Sequence, residues 1–429
     1  MIKLPVFSLA IFLLGCSSSK KANLAINETD VTRIETVLSH DSMEGRKTFT
    51  RGIDKAAAFI ASEMKLSGLK VYGNAAGYLQ SFEMINGTVA TTDVSINGTA
   101  IPASNVICVS SNENITFSEA DKYTIVTINK ADTFRNKIRT ILNKKQNTLV
   151  LIDTSFSRNF KSLNQIKGPA FESDINQVFV LTGNMDVTNY SVKITQKANK
   201  LKLSNVVGLL PGKTRTNEYV IFAGHYDHLG FSRPDSTGDS LYNGANDDAS
   251  GITAMLMLAK YYKALNNNER SILFVAFTAE EMGGFGSRYF SDNLNAGSVV
   301  AMFNIEMIGT DSKWGLNSAY ITGYEKTDMG KILEKNLAGS KFKFYPDPYP
   351  TQNLFYRSDN ATLARKGVPA HTISTSKMDN EPHYHKASDE IKTLDMRNMT
   401  EVIKSIAISA KTIVNGKDTP TRVDTTGLR

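Results

Sequence analysis

Three compact apolar runs in the second half of the chain, residues 219–223, 271–277 and 299–305, each lead directly into a metal-type side chain. His225 follows the first, the pair Glu280-Glu281 follows the second, and Glu306 ends the third. Short, continuously apolar runs of this length read as strands buried on both faces. Residues 252–265 and 400–414 carry helical periodicity, the latter closed by Gly416. Alternation of this kind predicts an α/β fold with a mostly parallel central sheet and helices on both faces. In open sheets of that type, sites form in the crevice beyond the carboxyl ends of the strands. Three strands therefore deliver histidine and carboxylate to one edge.

More residues of the same chemistry follow in a fixed order. Asn246-Asp247-Asp248-Ala249-Ser250-Gly251 lies between the first two strands, and His383-Tyr384-His385 with Asp389 lies near the end. Carboxylates and imidazoles in this number suit a pair of zinc-like ions, which take hard oxygen and borderline nitrogen ligands and one bridging carboxylate.

The remainder of the chain supplies context. Lys3 precedes an apolar stretch, residues 4–14, too short for a stable membrane span, and it ends in Leu13-Leu14-Gly15-Cys16. That pattern resembles the lipobox of bacterial lipoproteins, so residues 1–15 are expected to be a removable signal. Cys16 would carry the lipid, and residues 16–29 would form a tether. Cys108 is the only other cysteine, so no internal disulfide is expected in an exported protein. The net charge of +7 comes from scattered lysines without a basic run interleaved with aromatics, which argues against a nucleic-acid partner. Residues 30–72 read as two helical blocks around a polar break, Asp41-Ser42-Met43-Glu44-Gly45-Arg46. Residues 88–200 contain short β-type runs and no histidine, and are expected to be an inserted β-rich domain. The expected division is residues 30–87 with 201–417 for the main domain, 88–200 for the insert and 418–429 for a tail.

These segments together resemble the M28 metallopeptidases, the co-catalytic zinc aminopeptidases. The likeness is carried by Ser42-Met43-Glu44-Gly45-Arg46, Asn205-Val206-Val207-Gly208, Gly224-His225-Tyr226-Asp227-His228-Leu229-Gly230, and Gly244-Ala245-Asn246-Asp247-Asp248-Ala249-Ser250-Gly251. Ala279-Glu280-Glu281-Met282-Gly283 and Gly286-Ser287-Arg288-Tyr289-Phe290 complete it. The resemblance implies a zinc-peptidase, phosphorylase/hydrolase-like fold and two zinc ions. By the same resemblance His225 and Glu306 bind one ion, Glu281 and His385 the other, and Asp247 bridges them. Asp227 would orient His225, and Asp389 matches the family's acidic residue four positions beyond the last ligand. Glu280 would be the general base that takes a proton from the ion-held water, and Tyr384 would polarise the substrate carbonyl. Glu306 stands where the family usually has aspartate; the extra methylene bears on metal geometry and metal identity. A protease-associated-like domain is what the family often carries at the position of the insert.

The implied activity is that of an exported aminopeptidase acting on peptides with a free N-terminus, with the lipid on Cys16 as its only membrane contact. A glutaminyl cyclase on the same fold and an inactive binding protein are the competing readings. Of the other histidines, His383 is expected to be a nearby polar residue and His228 a supporting or structural one. His40 is expected at the surface and His371 along the cleft.

Overall fold

The computed structural model describes residues 24–121, 123–166 and 168–428. The apolar leader and Cys16 lie outside the described residues. Two compact units are formed, one by the residues up to Ser81 together with Leu203 onward, the other by Phe82–Lys202.

The first unit is built on a mixed sheet. Its strands are β1 (Tyr190–Leu210, of which the C-terminal part lies in this unit), β2 (Arg215–His225), β3 (Arg270–Phe277), β4 (Val299–Ile305), β5 (Ser318–Ile321), β6 (Lys343–Pro346) and β7 (Ala370–Ser374). Their spatial order is β6-β5-β7-β4-β2-β3-β1. Pairings β2 with β3, β2 with β4, β4 with β7 and β5 with β6 are parallel, while β1 with β3 and β5 with β7 are antiparallel. Strand β2 is central, and His225 at its end is in register with Phe277 of β3. That register sets His225 and the Glu280-Glu281 turn beside each other.

Strand side chains alternate between two apolar layers, as the period of two requires. Val220, Phe222, Ile272 and Phe274 face helices α1 (Glu28–Leu38), α2 (Arg51–Leu66), α3 (Ser250–Leu265) and α4 (Met396–Ser409). Ile221, Ala223, Leu273 and Val275 face the opposite layer, with Phe290, Leu363 and Val368. Phe222 stacks on Phe303, Tyr262 and Phe274 at ring separations of 4.8, 5.4 and 5.8 Å. Truncating it to alanine is expected to cost about 3–5 kcal/mol. Helix α3 is buried on nearly every side and begins where only glycine fits. A Cβ at Gly251 would stand 2.1 Å from the Ile305 carbonyl oxygen. This closeness brings the Asp247 loop onto the end of β4.

The edges of the unit differ from expectation. The proposed tether already has structure at its end: Asn27 caps α1 by accepting from the Asp30 amide, and Ile26 is buried. The supposed tail is bound to the core. Arg270 donates to the Asp418 carbonyl and to Thr419, Arg422 donates to the Val299 carbonyl, and Val423 is buried. The helical stretch 400–414 is two pieces, α4 and a turn at Lys411–Val414, separated at Ala410.

The inserted unit is more helical than its sequence texture suggests. Strands Val106–Val109, Gln177–Thr182, Thr148–Asp153 and Thr124–Ile128 lie side by side in that order, the first pairing antiparallel and the other two parallel. Helix Phe134–Asn143 connects the two parallel strands that flank it in sequence, as a parallel pair requires. It is sparsely apolar, burying Ile138 and Ile141 against Val150, Ile152 and Phe179. The unit boundaries at 81/82 and 202/203 fall inside the uninterrupted strands Leu79–Ile96 and Tyr190–Leu210, where no turn residue marks them. Among the described residues, no helix is long and apolar enough to cross a membrane.

Candidate metal centre

The side chains singled out by spacing converge beyond the carboxyl ends of β2, β3 and β4. His225 Nδ1 donates to the Asp227 carbonyl at 3.1 Å, which leaves Nε2 facing Asp247 Oδ1 at 3.2 Å. The other oxygen of Asp247 lies 3.2 Å from His385 Nε2. One carboxylate therefore faces imidazoles from two separate elements, the geometry a bridging ligand needs. Glu281 Oε1 is 3.2 Å from His385 Nε2 and 3.0 Å from His228 Nδ1. His225, Asp247 and Glu306 form one group of donor atoms lying within 4.8 Å of one another, and His228, Asp247 and Glu281 form a second. Donors about 3.3 Å apart are the edges of a tetrahedron with metal bonds of about 2.0–2.1 Å.

The backbone around these donors is held by buried polar contacts. The Asp227 carboxylate accepts the amides of Glu280 and Glu281 at 3.0 and 3.2 Å, and stands 3.9 Å from the His225 ring. It is the Asp227 carbonyl that orients the imidazole; the side chain fixes the glutamate turn. Asp389 accepts the amides of Asn246 and Asp247 at 2.8 and 3.0 Å. Asp247 itself does not sit at the head of α3: its backbone is extended, φ −111° and ψ 94°. Asp248 takes that role, accepting from the Gly251 amide at 3.0 Å while its other oxygen receives the His225 amide at 3.1 Å. The peptide bond between Asp247 and Asp248 is cis. Three non-glycine residues at the site, Ala279, Met307 and His385, adopt left-handed φ of 57°, 54° and 54°. Strained backbone of that kind, at about 1–3 kcal/mol each, persists where the surroundings fix it.

Two further contributors were not singled out for the site by the sequence. Arg46, from the polar break before α2, is fully buried and donates to the carbonyls of Tyr226 (2.9 Å), Asn243 (2.6 Å) and Gly244 (2.7 Å). It clamps the loops that carry His225 and Asp247. Asp359 is buried with neither carboxylate oxygen hydrogen-bonded, and burial pushes its carboxyl up to about 7. His228, expected to support or simply pack, has both ring nitrogens buried without a hydrogen bond although Nδ1 faces Glu281. The His-x-Asp-His spacing holds the only signal for it. His383 bonds Ser388, His40 caps the short turn after α1, and His371 is buried between Thr327 and the Thr322 carbonyl, away from the cleft lining. Burial pushes His371 down to about 4, so it is neutral there.

The electrostatics call for cations. Burial, then repulsion from neighbouring acids, raises Glu280 and Glu306 above the usual carboxylate range; Asp248 is likewise raised well above it. Burial opposes charge on Asp247 as well, yet the imidazoles of His225 and His385 hold it well below that range. His385 is pushed up to about 10 by Asp247 and Glu281 in spite of its burial. Unpartnered nitrogen at His228, unpartnered oxygen at Glu281 and this excess of buried acid all fit divalent metal ions. The cleft beside these donors is lined by Asp247, Glu280, Glu281, Glu306, Tyr384 and His385. Met307, Tyr320, Leu354, Arg357 and Met378 contribute the rest, with several hydroxyl residues. The Tyr384 ring stacks on that of His385 at 3.9 Å.

Residues 205–409 match the sequence profile described as peptidase family M28. A probable leucine aminopeptidase of Trichophyton verrucosum is 27% identical over 221 residues, 49% of this chain and 58% of that protein. An aminopeptidase of Bacillus subtilis is 33% identical over 110 residues, 25% of this chain and 22% of that protein. The chain thus covers less than two thirds of the length of these curated relatives. Among solved structures, a zinc aminopeptidase from Bacillus subtilis has a TM-score of 0.55 at 18% identity, covering 92% of this chain and 97% of that one. An aminopeptidase from Aneurinibacillus sp. strain AM-1 has a TM-score of 0.53 at 18% identity, covering 93% and 96%.

Proposed function

Since this chain belongs to peptidase family M28 through residues 205–409, we propose that it is a zinc-dependent aminopeptidase that removes N-terminal residues from peptides. The observation that carries this reading is the placement of Asp247, with one carboxylate oxygen 3.2 Å from His225 Nε2 and the other 3.2 Å from His385 Nε2. The relatives described as leucine and zinc aminopeptidases support the same reading.

His225, Asp247 and Glu306 would hold one ion, and Asp247, Glu281 and His385 the other, with His228 against Glu281. Bound zinc supplies Lewis acidity and makes water a competent nucleophile near neutral pH. Glu280 lines the cleft next to this donor set and carries a carboxyl whose affinity for protons is raised. Such a group takes a proton from the attacking water and returns it to the leaving amine, so that one water is consumed per bond cut. Tyr384, stacked on His385, keeps its hydroxyl protonated because burial opposes its ionisation, and so donates to the carbonyl oxygen as charge develops. The acid-rich wall of the cleft suits a substrate's free α-amino group. The lipobox-like Leu13-Leu14-Gly15-Cys16 supports export, with the lipid on Cys16 as anchor.

The test is a pair of assays on zinc-loaded protein: release of p-nitroaniline from leucine p-nitroanilide, and ammonia release from a peptide with N-terminal glutamine. Anilide cleavage is the expected result. Cyclisation of glutamine without anilide cleavage overturns the reading in favour of a glutaminyl cyclase.

A further inference from the structure

The cleft lining has one feature that metal binding does not use. Apart from the His385 imidazole, Arg357 is the only cationic side chain lining the cleft among the described residues. It is exposed, and its recorded hydrogen bond is a long one, Nη1 to the Gln352 amide oxygen at 3.3 Å. No described carboxylate lies within ion-pair distance of it. Three other arginines of the unit are occupied: Arg33 holds Glu63 with two bonds of 2.8 Å, and Arg46 and Arg270 are buried and saturated with carbonyls or acid.

The backbone that carries Arg357 is fixed. Leu354 and Phe355 are buried just before it, and the Phe355 carbonyl accepts from Asn360 at 3.0 Å. Ser358, the next residue, receives the Asn304 side chain at 2.7 Å, and Asn304 also reaches Glu306 at 3.5 Å. Arg357 is thereby tied to the end of the strand that supplies a metal donor.

Asp247, Glu281 and Glu306 are taken up by the metal reading, which leaves Arg357 as the lining group suited to an anion. Its planar fork is the group best shaped to take a carboxylate by two parallel hydrogen bonds. We propose that Arg357 binds a substrate carboxylate, which makes peptides with a carboxylate next to the scissile bond the preferred substrates. That carboxylate is either the C-terminus of a short peptide or the side chain of an adjacent Asp or Glu. The proposal rests on the aminopeptidase reading above and adds the substrate class to it.

The experiment compares kcat/KM for four peptides on zinc-loaded enzyme: Leu-Gly, its amide Leu-Gly-NH2, Leu-Glu-NH2 and Leu-Gln-NH2. Wild-type protein, Arg357→Ala and Arg357→Lys are assayed, with a thermal melt to verify folding. At least one carboxylate-bearing peptide should exceed its neutral partner about tenfold or more, chiefly through a lower KM, as expected for a hydrogen-bonded charge pair. The preference should vanish in Arg357→Ala and return in part in Arg357→Lys. A preference for Leu-Gly identifies the C-terminus as the group bound, and one for Leu-Glu-NH2 identifies the side chain. Equal values within both pairs in the wild type, or a preference unchanged in Arg357→Ala, overturn the proposal while leaving the peptidase reading intact. No hydrolysis of any of the four by the wild type overturns both.

Discussion

The carboxylate of Asp389 receives the backbone amide of Asp247 at 3.0 Å, across 142 residues of sequence. With the Asn246 amide at 2.8 Å, this contact sets the conformation of the loop whose side chain faces both His225 and His385. Replacing Asp389 by asparagine presents an NH2 group to one of two buried amides. The expected outcome is a loss of about 1–3 kcal/mol in stability. Zinc affinity should weaken about 10–100-fold, the usual effect of disturbing a group behind the ligands. Denaturant unfolding and chelator competition measure the two, and an unchanged zinc affinity would show that the loop is set by other contacts.

Arg46 performs the same service from the opposite end of the chain. Its guanidinium satisfies carbonyls of Leu38, Tyr226, Asn243 and Gly244. Lysine cannot reach them all, because it has one nitrogen where arginine has three. Arg46→Lys is expected to lower stability by about 3 kcal/mol or more, from several hydrogen bonds to a charged group. A melting temperature equal to that of the wild type would remove Arg46 from the scaffold of the site.

His228 faces Glu281 without a hydrogen-bond partner for either nitrogen. His228→Ala is expected to leave the fold in place and to weaken the ion on the Glu281 side about 10–100-fold, with a smaller effect on the other. Metal content after dialysis against a weak chelator reads this out. Equal retention of both ions would reduce His228 to a packing residue.

Glu35 supplies a pH dependence away from the metal donors. Burial pushes its carboxyl up to about 8, with the Thr253 hydroxyl working against that. The folded chain therefore keeps this proton where the unfolded chain has lost it, above the ordinary glutamate value of about 4.3. The stability contribution is whole in acid and falls as pH rises toward about 8, by at most about 1.4 kcal/mol per pH unit, and is flat beyond. Glu35→Gln removes the effect, so its stability relative to the wild type should rise between about pH 5 and pH 8. Parallel unfolding midpoints for the two proteins over that range would contradict this.

Much of this architecture was legible because strand ends carry chemistry. The run Val299–Ile305 is a strand over its whole expected length, and Glu306 follows it. The convergence of His225, Glu281 and Glu306 follows from parallel strands delivering their ends to one edge, and Asp247 and His385 join them from loops. What the sequence hid depends on tertiary contact. The strands Leu79–Ile96 and Tyr190–Leu210 run on through glycine and polar residues that read locally as turns, so the unit boundaries fell elsewhere. Asp227 looked like a partner for its near neighbour His225, but the register of β2 against β3 brings the glutamate turn within its reach. Arg46, Asp359 and Arg357 gave no local signal of their places, since each depends on where distant loops close.

The central claim is that this donor set is a two-metal hydrolytic site. The most direct measurement is metal content by atomic emission together with leucine p-nitroanilide hydrolysis, before chelation, after it and after zinc is restored, in wild type and Glu280→Gln. The account predicts two ions per chain and activity that is lost with them and regained with them. Glu280→Gln should hold both ions and lose about 10²–10⁴-fold in turnover. A protein that takes up no zinc, that cleaves the anilide equally well without metal, or whose Glu280→Gln variant keeps full turnover would contradict it.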